Sequence, residues 1–292
     1  MLDLKQLHLP KSPEEAVRAL AESEGKGLYV GGGTVVVRAA SPRLDFLVDL
    51  SAAGMSYVRS ESRDLLIGAT TTVAVLARSF EAYGVATGLL HEAAMSVATH
   101  TIRNLATVGG NLITWSFPAD LPVAFLVLDA RIVGLGGSGR KEMPVSDLFA
   151  RRQDVWEKGD LLVEIRVPIP PHELSAGFEK IGRKAVDVAM ANAAATLLDE
   201  GGKIGEARVA VGAMGVPPRR FEDCESFLKG KAPAEEVFAE AGKMVASSVE
   251  PRSDHRASAD YRRRAAAVAV ERALMKAAGL LPRHSGGEAT TR

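Results

Sequence analysis

Two glycine clusters constrain this chain more than any other feature. Gly109 and Gly110 lie between an apolar run and a polar cap in Thr107-Val108-Gly109-Gly110-Asn111. Far upstream stands Val30-Gly31-Gly32-Gly33-Thr34-Val35. Glycine tolerates positive φ and has no Cβ, so a ligand can come close to the backbone. Consecutive free N–H groups in such a turn make a concave anion site. Thr107 and Asn111 add side-chain donors at either end. Two turns of this kind can hold one pyrophosphate from two sides. Each hydrogen bond to a charged oxygen is worth roughly 1.5–3 kcal/mol, so several together anchor a dinucleotide. The alternative is that both are ordinary tight turns, and the glycines alone do not decide between the two.

Composition narrows the partners. Lys plus Arg and Asp plus Glu both number 36 among 292 residues, so the net charge is zero. That argues against nucleic acid or an anionic membrane as the main partner. The basic run Arg262-Arg263-Arg264, near Arg252 and Arg256, reads as a solvated helix face. Hydrophobic residues make up 47%, enough for a sizeable core. The N-terminus has no signal-peptide pattern, and the longest strongly apolar run, Val123 to Leu128, is too short to span a bilayer. The expectation is a soluble, cytoplasmic protein. Cys224 is the only cysteine, so this chain alone builds no disulfide, no cysteine zinc site and no iron–sulfur site.

The elements follow from local signals. Ser12-Pro13-Glu14-Glu15 reads as a helix start with a capping box. Leu28 to Val30 reads as a strand entering the first glycine turn, and Phe46 to Leu50 as another strand. Leu65 to Ala69 reads as a strand, with Thr70-Thr71-Thr72 capping a helix from Val73 to about Arg78. A helix is expected over about Leu89 to Val97, and a buried helical segment over Val123 to Leu128. Gly136-Gly137-Ser138-Gly139 signals a hairpin, and Leu161 to Pro168 a strand. A proline-rich connector, Pro168-Ile169-Pro170-Pro171, marks a boundary. Beyond it, Ala176 to about Leu198 reads as one extended stretch of weak alternation, despite its alanines. Gly201-Gly202 turns into a hairpin strand at Ala207 to Ala213. Helices are expected from about Ala234 to Ser247, and from Ser258 to Ala278 with Gly279 as the stop.

Familiar nucleotide and hydrolase signatures fail. Val36 breaks any G-x-G-x-x-G, no Gly-Lys-Ser/Thr follows a glycine run, and no G-x-S-x-G occurs. The six histidines, His8, His91, His100, His172, His255 and His284, form no i, i+4 metal pair. Neither a catalytic residue nor a metal ligand is therefore assigned. Asp120, nine positions after Asn111, reads either as a ribose or adenine partner or as a helix cap. The charges of Phe178-Glu179-Lys180-Ile181-Gly182-Arg183 read either as ligand contacts or as a strand-edge surface.

The series Thr101-Ile102-Arg103-Asn104, Thr107 to Asn111, Ala119-Asp120-Leu121-Pro122 and Leu128-Asp129-Ala130 resembles the flavin-binding medium subunit of molybdenum hydroxylases. These include carbon monoxide dehydrogenase and xanthine dehydrogenase-like enzymes. The likeness extends through Gly31 to Thr34, Ile67 to Thr72, Phe178-x-Lys180-x-x-Arg183 and Tyr261-Arg262-Arg263, nearly the whole chain. It implies an α+β fold: a two-lobed FAD-binding domain over 1–170, with lobes of about 1–56 and 57–170. A smaller α+β flavoprotein domain over 174–280 and a disordered tail over 281–292 follow. It implies that Val30, Gly31, Gly32, Gly33, Thr34 and Val35, with Thr107, Val108, Gly109, Gly110 and Asn111, cradle the FAD pyrophosphate. Asp120 then holds the adenosine side, and Leu162 and Lys180 lie near the flavin.

The chain departs from the family pattern at Val35-Val36-Val37 and at Trp115 and Phe117. The implied function is electron relay through noncovalent FAD. Iron–sulfur clusters and molybdopterin belong to a small and a large partner subunit, in a dimer of heterotrimers. NAD or another acceptor takes the electrons. A stand-alone FAD-dependent reductase or electron-transfer flavoprotein is the alternative. A binding domain that has lost FAD is a third reading, which the intact glycine turns and Asp120 oppose.

Overall fold

The structure is a computed structural model, and it describes residues 4–36, 44–79, 84–113, 118–169 and 174–282. The first elements are β1 (Gln6–His8), α1 (Pro13–Glu22), β2 (Gly27–Val30), β3 (Phe46–Asp49), β4 (Val58–Glu61), β5 (Asp64–Gly68), α2 (Val73–Arg78) and α3 (Val85–Met95). Next come α4 (His100–Leu105), α5 (Val108–Ile113), α6 (Leu121–Val127), β6 (Arg131–Gly136), β7 (Gly139–Pro144), α7 (Val145–Ala150), α8 (Arg152–Val155) and β8 (Leu161–Pro168). The last are β9 (Leu174–Ile181), β10 (Ala191–Asp199), β11 (Ile204–Gly212), β12 (Arg219–Arg220), α9 (Glu222–Leu228), α10 (Glu235–Ser248) and α11 (Ala259–Ala277). No described helix is long and apolar enough to cross a membrane.

The chain divides into two compact units. One comprises Met1–Leu76, Thr99–Thr114 and Ala130–Pro168; the other comprises Ala77–Ala98, Trp115–Asp129 and Ile169–Arg292. The first unit holds a parallel sheet in the order β1-β3-β2 and an antiparallel sheet in the order β4-β5-β8-β6-β7. Helix α1 starts as its sequence dictates, with Ser12 Oγ accepting from the Glu15 N–H at 3.1 Å. Glu15, however, turns back to the Lys11 N–H at 2.6 Å rather than closing on Ser12. Ala16 of α1 packs with Phe46 and Val48 of β3 and with Leu161 and Val163 of β8. The β6–β7 hairpin closes at Gly136 and Gly139, as its glycines predict.

The second unit holds an antiparallel sheet in the order β12-β11-β10-β9, with α10 and α11 in its core. Residues 176–198 do not form one extended stretch. They make β9 and β10, paired antiparallel from Leu174↔Leu198 to Ile181↔Ala191, with the reversal between them. The alanines of β10 prefer helix in isolation, but tertiary packing overrides propensity. Small residues let α11 lie close to the sheet: a Cβ at Gly177 would overlap the Ala273 carbonyl. Helix α11 begins at Ser258, whose Oγ accepts from the Tyr261 N–H at 3.2 Å, and ends before Gly279, at φ +73°.

The buried Arg262 donates from Nη1 to the Met190 carbonyl at 2.8 Å and to the Ala213 carbonyl, and from Nη2 to Asp254 Oδ1 at 2.8 Å. Despite some desolvation, the Arg256 N–H and the Arg262 guanidinium hold the Asp254 carboxyl at about 2. Of the expected tail, residues 283–292 lie outside the described residues, as do Trp115 and Phe117.

Candidate functional site

Strand β2 runs in parallel register with β3 as far as Val30↔Asp49, and the chain then leaves the ladder at Gly31. Among the described residues, the N–H groups of Gly31, Gly32, Gly33, Thr34 and Val35 donate to no partner. The segment is half-exposed, and Val35 is 42% exposed. A buried orphan N–H is rare, and five successive donors left unpaired in a part-exposed segment suit an anion cradle.

The back wall of this loop comes from the second glycine segment. A Cβ at Gly31 would lie 2.7 Å from Thr107 Oγ1, and one at Gly32 would overlap the Leu105 carbonyl oxygen. Gly33 sits at φ +67°, the left-handed region that glycine enters without a Cβ penalty. The two clusters, about seventy-five residues apart in sequence, therefore meet in one place.

They do not play equal parts. Val108 N donates to Thr71 O at 2.9 Å, and Gly109 N to Ala69 O at 2.9 Å. Gly110 N donates to Thr107 Oγ1 at 3.1 Å, and Asn111 N to Thr107 O at 2.9 Å. The expectation of consecutive free N–H groups fails for Val108 to Asn111, because every one of those four is already used. Nor do Gly109 and Gly110 need positive φ; they lie in the first turn of α5. Gly109 lacks a Cβ because one would sit 2.8 Å from Ala69 O. The second segment is a support, and the first is the open loop. Thr70 to Thr72 belong to that support: Thr71 Oγ1 bridges the Tyr57 N–H and carbonyl, and Thr72 Oγ1 caps Val75. Leu105, Ala69 and Thr71 act through backbone carbonyls, which no side-chain pattern announces.

Leu162, on β8 of the same unit, is buried and paired with Gly134 across a bulge. Asp120 and Lys180 come together in the second unit. Asp120 stands at the N-cap position of α6 but makes no side-chain cap. Its Oδ2 accepts from Lys180 Nζ at 2.9 Å and its Oδ1 from Asn192 Nδ2 at 2.9 Å. Lys180 Nζ also donates to Ser96 O at 2.6 Å, and Asn192 Nδ2 to Ala119 O at 3.0 Å. Burial pushes the Asp120 carboxyl above its ordinary range, against the pull of Lys180 and Asn192. Each carboxylate oxygen keeps further acceptor capacity. Among the described residues, no three His, Cys, Asp or Glu side chains cluster as a metal site.

Lys180→Met is expected to destabilise the protein by about 3–5 kcal/mol near neutral pH, because it strands a buried carboxylate. The raised folded-state value of Asp120 means that ionising it costs stability as pH rises above its unfolded value. The deficit should therefore shrink toward about pH 4, and the double variant Asp120→Asn/Lys180→Met should recover much of it. Urea midpoints at the two pH values check this, and a neutral-pH loss below about 1 kcal/mol, typical of a surface pair, would contradict it.

An open loop of N–H groups backed by Leu105, Ala106 and Thr107, in an α+β fold, suits a phosphate-bearing cofactor. Residues 3–170 match the family described as the FAD binding domain in molybdopterin dehydrogenase, and residues 176–277 match the CO dehydrogenase flavoprotein C-terminal domain. The chain belongs to this family of FAD subunits of the molybdenum hydroxylases. It is 31% identical over 272 residues to the 6-hydroxypseudooxynicotine dehydrogenase complex subunit alpha of Paenarthrobacter nicotinovorans, covering 91% of this chain and 92% of that one. It is 31% identical over 277 residues to the carbon monoxide dehydrogenase medium chain of Hydrogenophaga pseudoflava, covering 92% and 95%. The solved structure of a Cu,Mo-CO dehydrogenase in its cyanide-inactivated form superposes with a TM-score of 0.88 at 29% identity, over 96% of this chain and 100% of that one.

Proposed function

We propose that this chain binds FAD noncovalently and relays electrons within a molybdenum hydroxylase complex. The observation that carries this reading is the run of N–H groups from Gly31 to Val35 that find no partner among the described residues, set against a wall that excludes side chains. That cradle fits a pyrophosphate. Val30 to Val35 would hold it, with Thr107, Val108, Gly109, Gly110 and Asn111 fixing the loop from behind. Asp120 would take the adenosine side, Leu162 would lie near the ring system, and Lys180, bonded to Asp120 at 2.9 Å, would stand where Asp120 does rather than at the other end. FAD, when bound, supplies reversible two-electron chemistry. The chain's own residues bind and orient it; none is needed as nucleophile or acid.

The division of labour follows from donor chemistry. One cysteine cannot hold an iron–sulfur cluster. The clusters and the molybdopterin would sit on a small and a large partner, in a dimer of heterotrimers in the cytoplasm. NAD or another external acceptor would take the electrons. The domain limits 1–170 and 174–280 are part of the same reading. The alternative, a stand-alone FAD-dependent reductase, lacks a specific observation in its favour.

Purified protein is expected to carry one FAD per chain and to release all of it in acid. Absorbance of the precipitate and supernatant checks this. Yellow colour that stays with the denatured chain would contradict noncovalent binding, and a colourless native protein that takes up no added FAD would contradict the function.

A further inference from the structure

We propose that Tyr29 is a positioning residue for the pyrophosphate cradle, acting through a hydrogen bond to the turn before β8. The inference rests on the FAD reading above. Strand β2 lies at the edge of its three-stranded sheet, so only β3 ladders with it. The ladder ends at Val30, and no backbone bond directs the N–H groups that follow.

Tyr29 supplies a second tether from the other side. Its hydroxyl donates to the Gly159 carbonyl at 2.8 Å, across 130 positions of sequence. Burial, reinforced by the Asp160 carboxylate, pushes the hydroxyl well above the usual tyrosine range, so it stays a protonated donor.

The turn that Tyr29 grips is itself fixed. Asp160 is buried; its Oδ2 accepts from the Glu157 N–H at 2.6 Å and pairs with Lys141 of β7. A Cβ at Gly136 of β6 would overlap Asp160 Oδ1, so the turn seats tightly on the hairpin. Lys141 Nζ also lies 5.6 Å over the Trp156 ring. Immediately after the turn come Leu161 and Leu162. A rigid frame thus runs from the β6–β7 hairpin through Asp160 and Gly159 to Tyr29, two residues before the first open N–H. Hydrogen bonds weaken steeply with misalignment, so a loosened β2 exit would degrade every donor in the loop at once.

Tyr29→Phe removes the hydroxyl and keeps the ring in its apolar setting beside α1 and β3. The measurement is titration of the apo chain with FAD and, separately, with riboflavin, which has no phosphate. FAD affinity is expected to fall about five- to tenfold, as for one lost hydrogen bond, while riboflavin affinity changes less than twofold. The apo melting temperature should drop by no more than about 4 °C. Lys141→Met, which frees the turn from its far side, should weaken FAD in the same direction. The double variant should then lose less than the sum of the singles, because both act along one frame. Unchanged FAD affinity in Tyr29→Phe, or equal loss for FAD and riboflavin, would overturn the positioning role and leave the FAD reading standing. A wild-type chain that binds no FAD would overturn both.

Discussion

Gly32→Val is expected to abolish FAD binding. The added Cβ would overlap the Leu105 carbonyl oxygen, with the Ala106 nitrogen 3.1 Å away. Both are backbone atoms at the corner between α4 and α5, so no flexible side chain can swing aside. The corner is held in turn by Val73 N to Ala106 O at 2.8 Å and by Val108 N to Thr71 O at 2.9 Å. The open loop must move instead, and its unpaired N–H groups are displaced. Overpacking of this kind also costs roughly 1–3 kcal/mol of stability, so the variant should be measurably less stable as well as colourless.

Gly110→Val should be milder. Its Cβ meets only Thr107 Oγ1, at 2.8 Å, and the damage falls on the support rather than on the loop. Gly137→Ala, where nothing lies within 4 Å, serves as the neutral control. Flavin absorbance per chain, with far-ultraviolet circular dichroism for the fold, separates these outcomes. Full FAD occupancy in Gly32→Val would show that the loop is not the pyrophosphate site.

Much of the frame is legible from local chemistry. Ser258 and Gly279 bracket α11 because a side-chain oxygen and a left-handed glycine end helices wherever they stand. The glycines of the β6–β7 hairpin and the proline at the end of β8 act equally locally. The break between β9 and β10 falls at Gly182-Arg183-Lys184, a polar turn signal that a reading by alternation alone passes over. Helix α4 also escapes a reading of apolar periodicity: none of its six residues is buried, and Leu105 is 54% exposed.

Within the site, the glycines reveal both segments but not their inequality. The N–H groups of Val108 and Gly109 are taken by carbonyls of Thr71 and Ala69, and a carbonyl is the same on any residue. Asp120 is ambiguous in sequence for a related reason. Its partners, Lys180 and Asn192, are 60 and 72 positions away, and only the fold brings them to it.

A chain that relays electrons through flavin without oxidising the organic substrate itself is distinguished by a single anaerobic experiment. Cys224, the only cysteine, is buried; its thiol donates to the Ala241 carbonyl at 3.7 Å. Burial, with some help from Glu225, pushes that thiol up to about 12, so it is no nucleophile at working pH. A cluster needs about four cysteines, so this chain alone houses no iron–sulfur relay. The measurement follows the flavin absorbance of the FAD-loaded isolated chain against aldehydes, purines, carbon monoxide and N-heterocycles, without oxygen. Dithionite is expected to bleach it at once, and none of the substrates is expected to do so. Addition of the small iron–sulfur and large molybdopterin subunits should then restore bleaching by one of them. Rapid bleaching of the lone chain by an organic substrate would contradict the relay and make this a flavoenzyme in its own right.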